Sequence, residues 1–231
     1  MGKYISDESR YKLKRGSGTG IDYKTWIKDR DFCNMGVSAM VIDFKTGRPV
    51  YLLSQGELWW YYIFRWNDDV VDIQEQYPLL PIEDTVAIAE EMGIAPVKDV
   101  KKRNKVMTTD MLLTMVDGSQ KAVSVKLDRK AVDDRRTQQN LIVESEYWIR
   151  QGIPWIQVYK EDLNPTLVSN IERVWNSWDE DRVYDDFSLA RYLIIHKVIT
   201  VDMTKEIDYR ELIAKLKKDA IWDEYSYLLK E

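Results

Sequence analysis

The stretch 107–130, MTTDMLLTMVDGSQKAVSVKLDRK, leaves the backbone few choices. Two runs rich in apolar and β-branched residues flank Asp117-Gly118, which predicts a β-hairpin. A carboxylate, Asp110, opens the first strand and an amine, Lys126, closes the second. A one-residue slip moves every side chain to the other face, so the loop decides what these two groups can do. With a two-residue turn, Asp110 faces Val125 and Lys126 lies on the opposite face. With a three-residue loop and a bulge, Asp110 faces Ser124 and Lys126 shares its side. Only the second register joins acid and amine, and Gly118 permits both. Singly, each has an ordinary explanation, a turn-capping acid and a lysine that guards a sheet edge.

The rest of the chain surrounds this hairpin with alternating strand and helix signals. SAMVIDF (38–44) and RPVYLL (48–53) predict a second hairpin around Lys45-Thr46-Gly47. Ser54 with Glu57 three residues on is a capping box that opens an aromatic helix, and the box alone accounts for Glu57. VVDIQEQYPLLP (70–81) reads as a buried strand, followed by a helix over about 83–92 and a basic surface stretch, KDVKKRNK (98–105). After the hairpin comes a long charged helix over about 131–151, on which Glu144 can serve as a surface ion-pair partner. Then IPWIQVY (153–159) lacks alternation, as a central strand covered on both faces does. Asn164-Pro165 starts a helix to about Trp178. The acidic stretch WDEDRVYDD (178–186) marks a domain boundary. Beyond it lie a helix (187–196), an extended piece (IITVD) and a helix (208–219), which suit a small winged-helix-like unit. This order predicts an α/β fold with helices on both faces of a mixed sheet.

Composition narrows the chemistry. Cys33 and His196 are the only residues of their kinds among 231. Within one chain that excludes a disulfide and a Cys/His zinc site, and it leaves a Ser-His-Asp triad only through His196. A lone cysteine fits a reducing cytoplasm. Carboxylates, lysines and hydroxyls remain, and they favour a hard, oxygen-liganded ion such as magnesium. No apolar run is long enough to span a bilayer, and Met1-Gly2 with Ser6 only loosely fits a myristoylation pattern. The net charge is -5, yet residues 10–30 carry seven Lys or Arg against Asp22 and Asp29. On charge alone this is a solvated N-terminal arm. Gly16, Gly18 and Gly20 within it predict a flexible or phosphate-hugging loop rather than a nucleotide fingerprint, since no strand precedes them. The nine tryptophans, Trp59 and Trp60 included, read as packing residues rather than base-stacking platforms.

An acid on a helix, an acid on a strand and a lysine on the next strand is the order of the PD-(D/E)xK nucleases. The segments RGSGTGIDYKTWI, FKTGRPVYLLSQGEL, DIQEQYPLLP, MTTDMLL, VSVK and EYWIRQGIPWIQV, over about residues 14–178, resemble the TnsA family. These are the endonuclease subunits of heteromeric cut-and-paste transposases. The resemblance implies a restriction-endonuclease-like mixed sheet flanked by helices over 31–178, behind a basic arm over 1–30. It implies a winged-helix-like, partner-binding region over 179–231. It also implies hydrolysis of the strand at the 5′ ends of a transposon, with Mg2+, for which Mn2+ can substitute. Glu57 matches the family's helix-borne catalytic glutamate, Asp110 its metal-bridging aspartate and Lys126 its catalytic lysine. Val125 lends a backbone carbonyl to the metal, and Glu144 falls where the family has a further acid. Ser124 departs from the family's usual polar amide there, and a hydroxyl is a poorer metal ligand. Arg10, Lys12, Lys14, Arg15 and Lys24 are the expected DNA-backbone contacts. The implied partners are transposon-end DNA, a DDE-type transposase subunit and, through the C-terminal region, an AAA+ regulator. The implied setting is a bacterial cytoplasm, at the nucleoid during transposition, with no membrane partner. The competing readings are a phage or repair nuclease of the same fold, and a non-catalytic DNA- or regulator-binding subunit.

Overall fold

The structure, a computed structural model, describes residues 5–28, 31 and 38–229. Cys33, Arg30 and the Met1-Gly2 pattern lie outside these residues. The chain divides into two compact units, Met1–Asp162 and Leu163–Glu231, earlier than the boundary expected near 178.

The hairpin forms as β4 (Thr108–Met115) and β5 (Gln120–Lys126), antiparallel, with Met111 opposite Val123 and Thr114 opposite Gln120. The loop holds three residues, closed by Met115 N donating to Ser119 O at 2.8 Å and Gly118 N donating to Met115 O at 2.9 Å. Gly118 has φ +82°, the left-handed residue that such a loop needs at its third place. The pairing therefore sets Asp110 opposite Ser124 and puts Lys126 on their side of the strand. This is the register that can build a site.

β3 (Val70–Pro78) pairs antiparallel with β4, and β6 (Trp155–Tyr159) pairs parallel with β5, in the sheet order β3-β4-β5-β6. β6 is thus an edge strand of this sheet, not the central strand expected from its unbroken apolar run. Its residues are half-buried throughout. Trp60 Nε1 donates to Tyr159 O at 3.1 Å, and Trp155 Nε1 donates to Glu144 at 3.1 Å. A separate hairpin joins β1 (Ala39–Ile42) and β2 (Pro49–Leu52). Helix α1 (Asp7–Lys12) lies near the N-terminus.

Helices cover both faces of the main sheet. On one side α3 (Ile82–Glu91) and α4 (Arg135–Arg150) bury Ile88, Val143, Tyr147 and Trp148 against Leu112 and Ala122. Trimming a side chain such as Leu112 to Ala costs about 2–5 kcal/mol in cores of this kind. α4 starts later than 131 because Arg129–Val132 is a separate 3-10 turn and Asp134 caps the helix proper. On the other side α2 (Gln55–Trp66) approaches β5 so closely that a Cβ on Gly56 would sit 3.3 Å from Val125 Cγ1. The glycine before Glu57 lets the helix N-terminus reach the strand that carries Lys126.

The glycine segment at 16–20 is tied down rather than flexible. Gln74 Nε2 donates to Gly18 O and Asp72 Oδ2 accepts from Gly20 N, both at 2.9 Å.

The second unit contains α5 (Pro165–Trp175), α6 (Asp186–Ile195), α7 (Tyr209–Leu216) and α8 (Ala220–Tyr225). α7 is the helix expected over 208–219, and Asp219 caps α8, a further helix beyond it. IITVD forms no strand, and the described residues of this unit carry no β-wing. The winged-helix-like expectation is not confirmed.

Candidate active site

Glu57 occupies the first turn of α2, where Ser54 is the N-cap: Ser54 Oγ accepts from Glu57 N at 3.1 Å. The capping box closes differently from expectation. The Glu57 carboxylate accepts from Leu53 N at 2.9 Å, and Ser54 Oγ donates to its other oxygen at 3.0 Å. A third donor comes from the sheet, Gln76 Nε2 to Glu57 Oε2 at 3.0 Å. All three donors are neutral, and Glu57 is buried. Burial, then the charge of Asp110, pushes its carboxyl up to about 8, against the three hydrogen bonds.

Asp110 and Lys126 meet at the open end of the hairpin. Asp110 Oδ2 accepts from Val125 N at 2.6 Å and lies 3.7 Å from Lys126 Nζ; both side chains are about one-fifth exposed. The ammonium donates to Ser124 Oγ and to Val125 O, each at 3.0 Å. An acceptor carboxylate, a main-chain carbonyl, a hydroxyl and a cation therefore converge on one strand end open to solvent.

Glu144 reaches the same end from α4. One of its oxygens accepts from the Thr109 hydroxyl and from Trp155 Nε1. Burial, then Asp110, pushes it up to about 7, while Thr109, Lys126 and Trp155 oppose the rise. It is a buried acid facing Asp110, not the helix-surface pair its sequence context also allowed. A cavity of about 250 Å³ adjoins it, lined by Lys105, Lys126, Asn140 and Glu144 among others.

Gln76, Thr109 and Trp155 were not singled out by sequence reasoning. A signal for Gln76 exists: DIQEQ places four polar residues in a run that otherwise reads as buried strand, and buried polar groups need partners. Nothing comparable marks Thr109 or Trp155.

The basic arm divides. Arg10 is fully buried, with Asp7 at 2.7 Å and Asp31 at 3.7 Å. Arg15 ion-pairs with Asp31 and donates to Trp26 O at 3.1 Å. Their charges are spent inside the protein. Lys12, Lys14 and Lys24 are exposed. His196 lies in the second unit, hydrogen-bonded through Nε2 to Trp178 O at 2.8 Å.

A family model described as TnsA-like endonuclease N terminal matches residues 67–160, a span holding Asp110, Ser124, Val125, Lys126 and Glu144. The Escherichia coli protein named transposon Tn7 transposition protein TnsA is 38% identical over 175 residues, 74% of this chain. The chain belongs to the TnsA family. The match spans 63% of the length of that relative. Glu57 falls outside the span of the family model, but it lies close enough to the hairpin that the model covers for the charge of Asp110 to act on it. The mixed sheet with helices on both faces is the restriction-endonuclease-like arrangement expected of the family. Among the described residues no helix is long and apolar enough to cross a membrane.

Proposed function

We propose that this protein is the endonuclease subunit of a transposase, hydrolysing one DNA strand at the 5′ ends of a transposon under a divalent cation. The observation that carries the reading is the strand end where Asp110, Val125 and Lys126 meet, faced by two buried acids with raised pKa values.

The donor set suits a hard cation. Glu57, Asp110 and the Val125 carbonyl offer only oxygen, which fits Mg2+ or Mn2+ and not zinc. The raised Glu57 is a buried carboxylate without a cationic partner among the described residues, which is the state a metal site has before its ion. No three Asp, Glu, His or Cys side chains among the described residues form a metal cluster by themselves. Val125 O and, more weakly, Ser124 Oγ are therefore needed beside Glu57 and Asp110. When bound, the ion supplies charge neutralisation at the scissile phosphate.

The protein's own groups account for the remaining roles. Lys126 places a positive charge at the strand end, where it favours deprotonation of an attacking water and offsets charge developing on the phosphoryl oxygens. Asp110 is oriented for this by the Val125 amide. Water attacks phosphorus, the bond to the 3′ oxygen breaks, and that oxygen takes up a proton. The 5′ phosphate stays on the other product. Glu144 adds negative potential beside Asp110 and so strengthens the demand for a cation.

Exposed Lys12, Lys14 and Lys24 grip phosphate without reading sequence. With a net charge of -5, the isolated chain binds DNA weakly. A DDE-type transposase subunit supplies end recognition and the 3′ cuts, and the C-terminal unit meets an AAA+ regulator.

The test is strand cleavage of end-labelled transposon-end DNA with Mg2+ and the partner transposase. The expected result is a nick at the 5′ end leaving a 5′ phosphate, abolished in Asp110→Ala. Equal nicking by Asp110→Ala would remove the proposed site.

A further inference from the structure

Gln76 is the one buried residue among the non-glycine residues described with positive φ. The others, Lys14, Lys102 and Lys197, are exposed lysines, whereas Gln76 has φ +49° inside β3. A left-handed backbone is costly for a side chain of this kind and persists only where the surroundings enforce it. Its neighbours pair normally, Glu75 with Met111 and Tyr77 with Thr109, so the irregularity falls opposite Asp110. Its side chain ends on Glu57 Oε2 at 3.0 Å.

The other two donors to that carboxylate, Leu53 N and Ser54 Oγ, belong to the N-terminus of α2 itself. Gln76 is therefore the hydrogen bond that ties Glu57 to the sheet carrying Asp110 and Lys126. A neutral amide does this without neutralising the carboxylate, as an Arg or Lys in its place would. We infer that Gln76 is a positioning residue, which uses its left-handed backbone opposite Asp110 to tie Glu57 to the sheet as an anionic ligand for a divalent cation. The inference rests on the reading of Glu57 as a cation ligand.

The backbone and the amide can be separated. Gln76→Gly suits φ +49° and removes only the amide. Gln76→Asn tolerates the same φ and keeps a shorter amide. Mn2+ binding to the metal-free full-length protein is measured by calorimetry, with thermal melting as the fold control and Glu57→Gln as the reference. Gln76→Gly is expected to melt within a few degrees of wild type yet bind Mn2+ roughly 10–100-fold more weakly. Gln76→Asn should recover part of that loss, and cleavage by both should improve as Mg2+ is raised. Should the glycine variant not fold, the asparagine variant carries the same test. Wild-type Mn2+ affinity in Gln76→Gly, with Glu57→Gln impaired, would overturn the positioning role and leave Glu57 as a ligand. Unchanged affinity in Glu57→Gln would remove the ligand itself, and the positioning role with it.

Discussion

Glu75 and Glu57 are both buried and both touch β3, yet they are compensated in opposite ways. Glu75 receives a two-pronged ion pair from Arg48, at 2.9 and 2.8 Å, and Arg48 also donates to Ile73 O at 2.9 Å. The same pattern recurs at Asp43, which pairs with Arg65 at 2.6 Å and accepts from the Tyr61 hydroxyl. In both places a guanidinium closes the charge and fixes one element to another: β2's approach to β3, and the turn after β1 to α2. Glu57 has a main-chain amide, a hydroxyl and a side-chain amide instead, all of them neutral. A buried acid matched by a guanidinium is scaffold. A buried acid held in place but left charged-on-demand can receive a cation from outside, and the fold places the second kind where Asp110 and Lys126 meet.

That contrast can be broken most severely at the site's cation. Lys126→Ala should lower the cleavage rate about 10²–10⁴-fold, the span of a group assisting proton transfer, with melting almost unchanged. A comparable fall in melting temperature would mean that Lys126 is scaffold after all. Next in size is the scaffold pair. Arg48→Ala leaves Glu75 buried without its partner and should cost about 3–5 kcal/mol in urea unfolding. A loss under 1 kcal/mol would show that Glu75 is not held by Arg48.

The smaller effect is on pH. Glu57 is shifted from its ordinary 4.5 to about 8, so the folded protein holds a proton there that the unfolded chain has released. Its contribution is fully present below pH 4.5 and is lost as pH rises towards 8; Glu144, raised to about 7, acts in the same direction. Metal-free protein in chelator should therefore weaken across that window by roughly a few kcal/mol. Glu57→Gln should flatten much of the slope. A melting temperature that rises between pH 5 and 8 would contradict the assignment.

Much of this was legible in the chain because the signals were local. The Asp-Gly turn, the Ser54–Glu57 cap and the Asn164-Pro165 helix start each act within a few residues. The register was not, since Gly118 suits either loop, and the choice is made by pairing across the whole hairpin. Arg10 looked like part of a basic arm because its acids are seen only in space: Asp31 lies twenty-one positions on and also binds Arg15. β6 carries the apolar run of a central strand but lies at the edge of its sheet, where Trp60 of α2 binds the Tyr159 carbonyl. The role of Gln76 depends on a backbone angle that no residue of EQYPL announces.

The most direct test of the central contrast is the melting temperature at pH 7.5 with and without Mg2+. It is measured for wild type and for Glu57→Gln combined with Asp110→Asn. An ion that binds only the folded protein stabilises it by mass action. Mg2+ is expected to raise the wild-type melting temperature, and the double variant is expected to start higher without the ion and not to respond to it. An equal response to Mg2+ in both proteins would contradict this contrast.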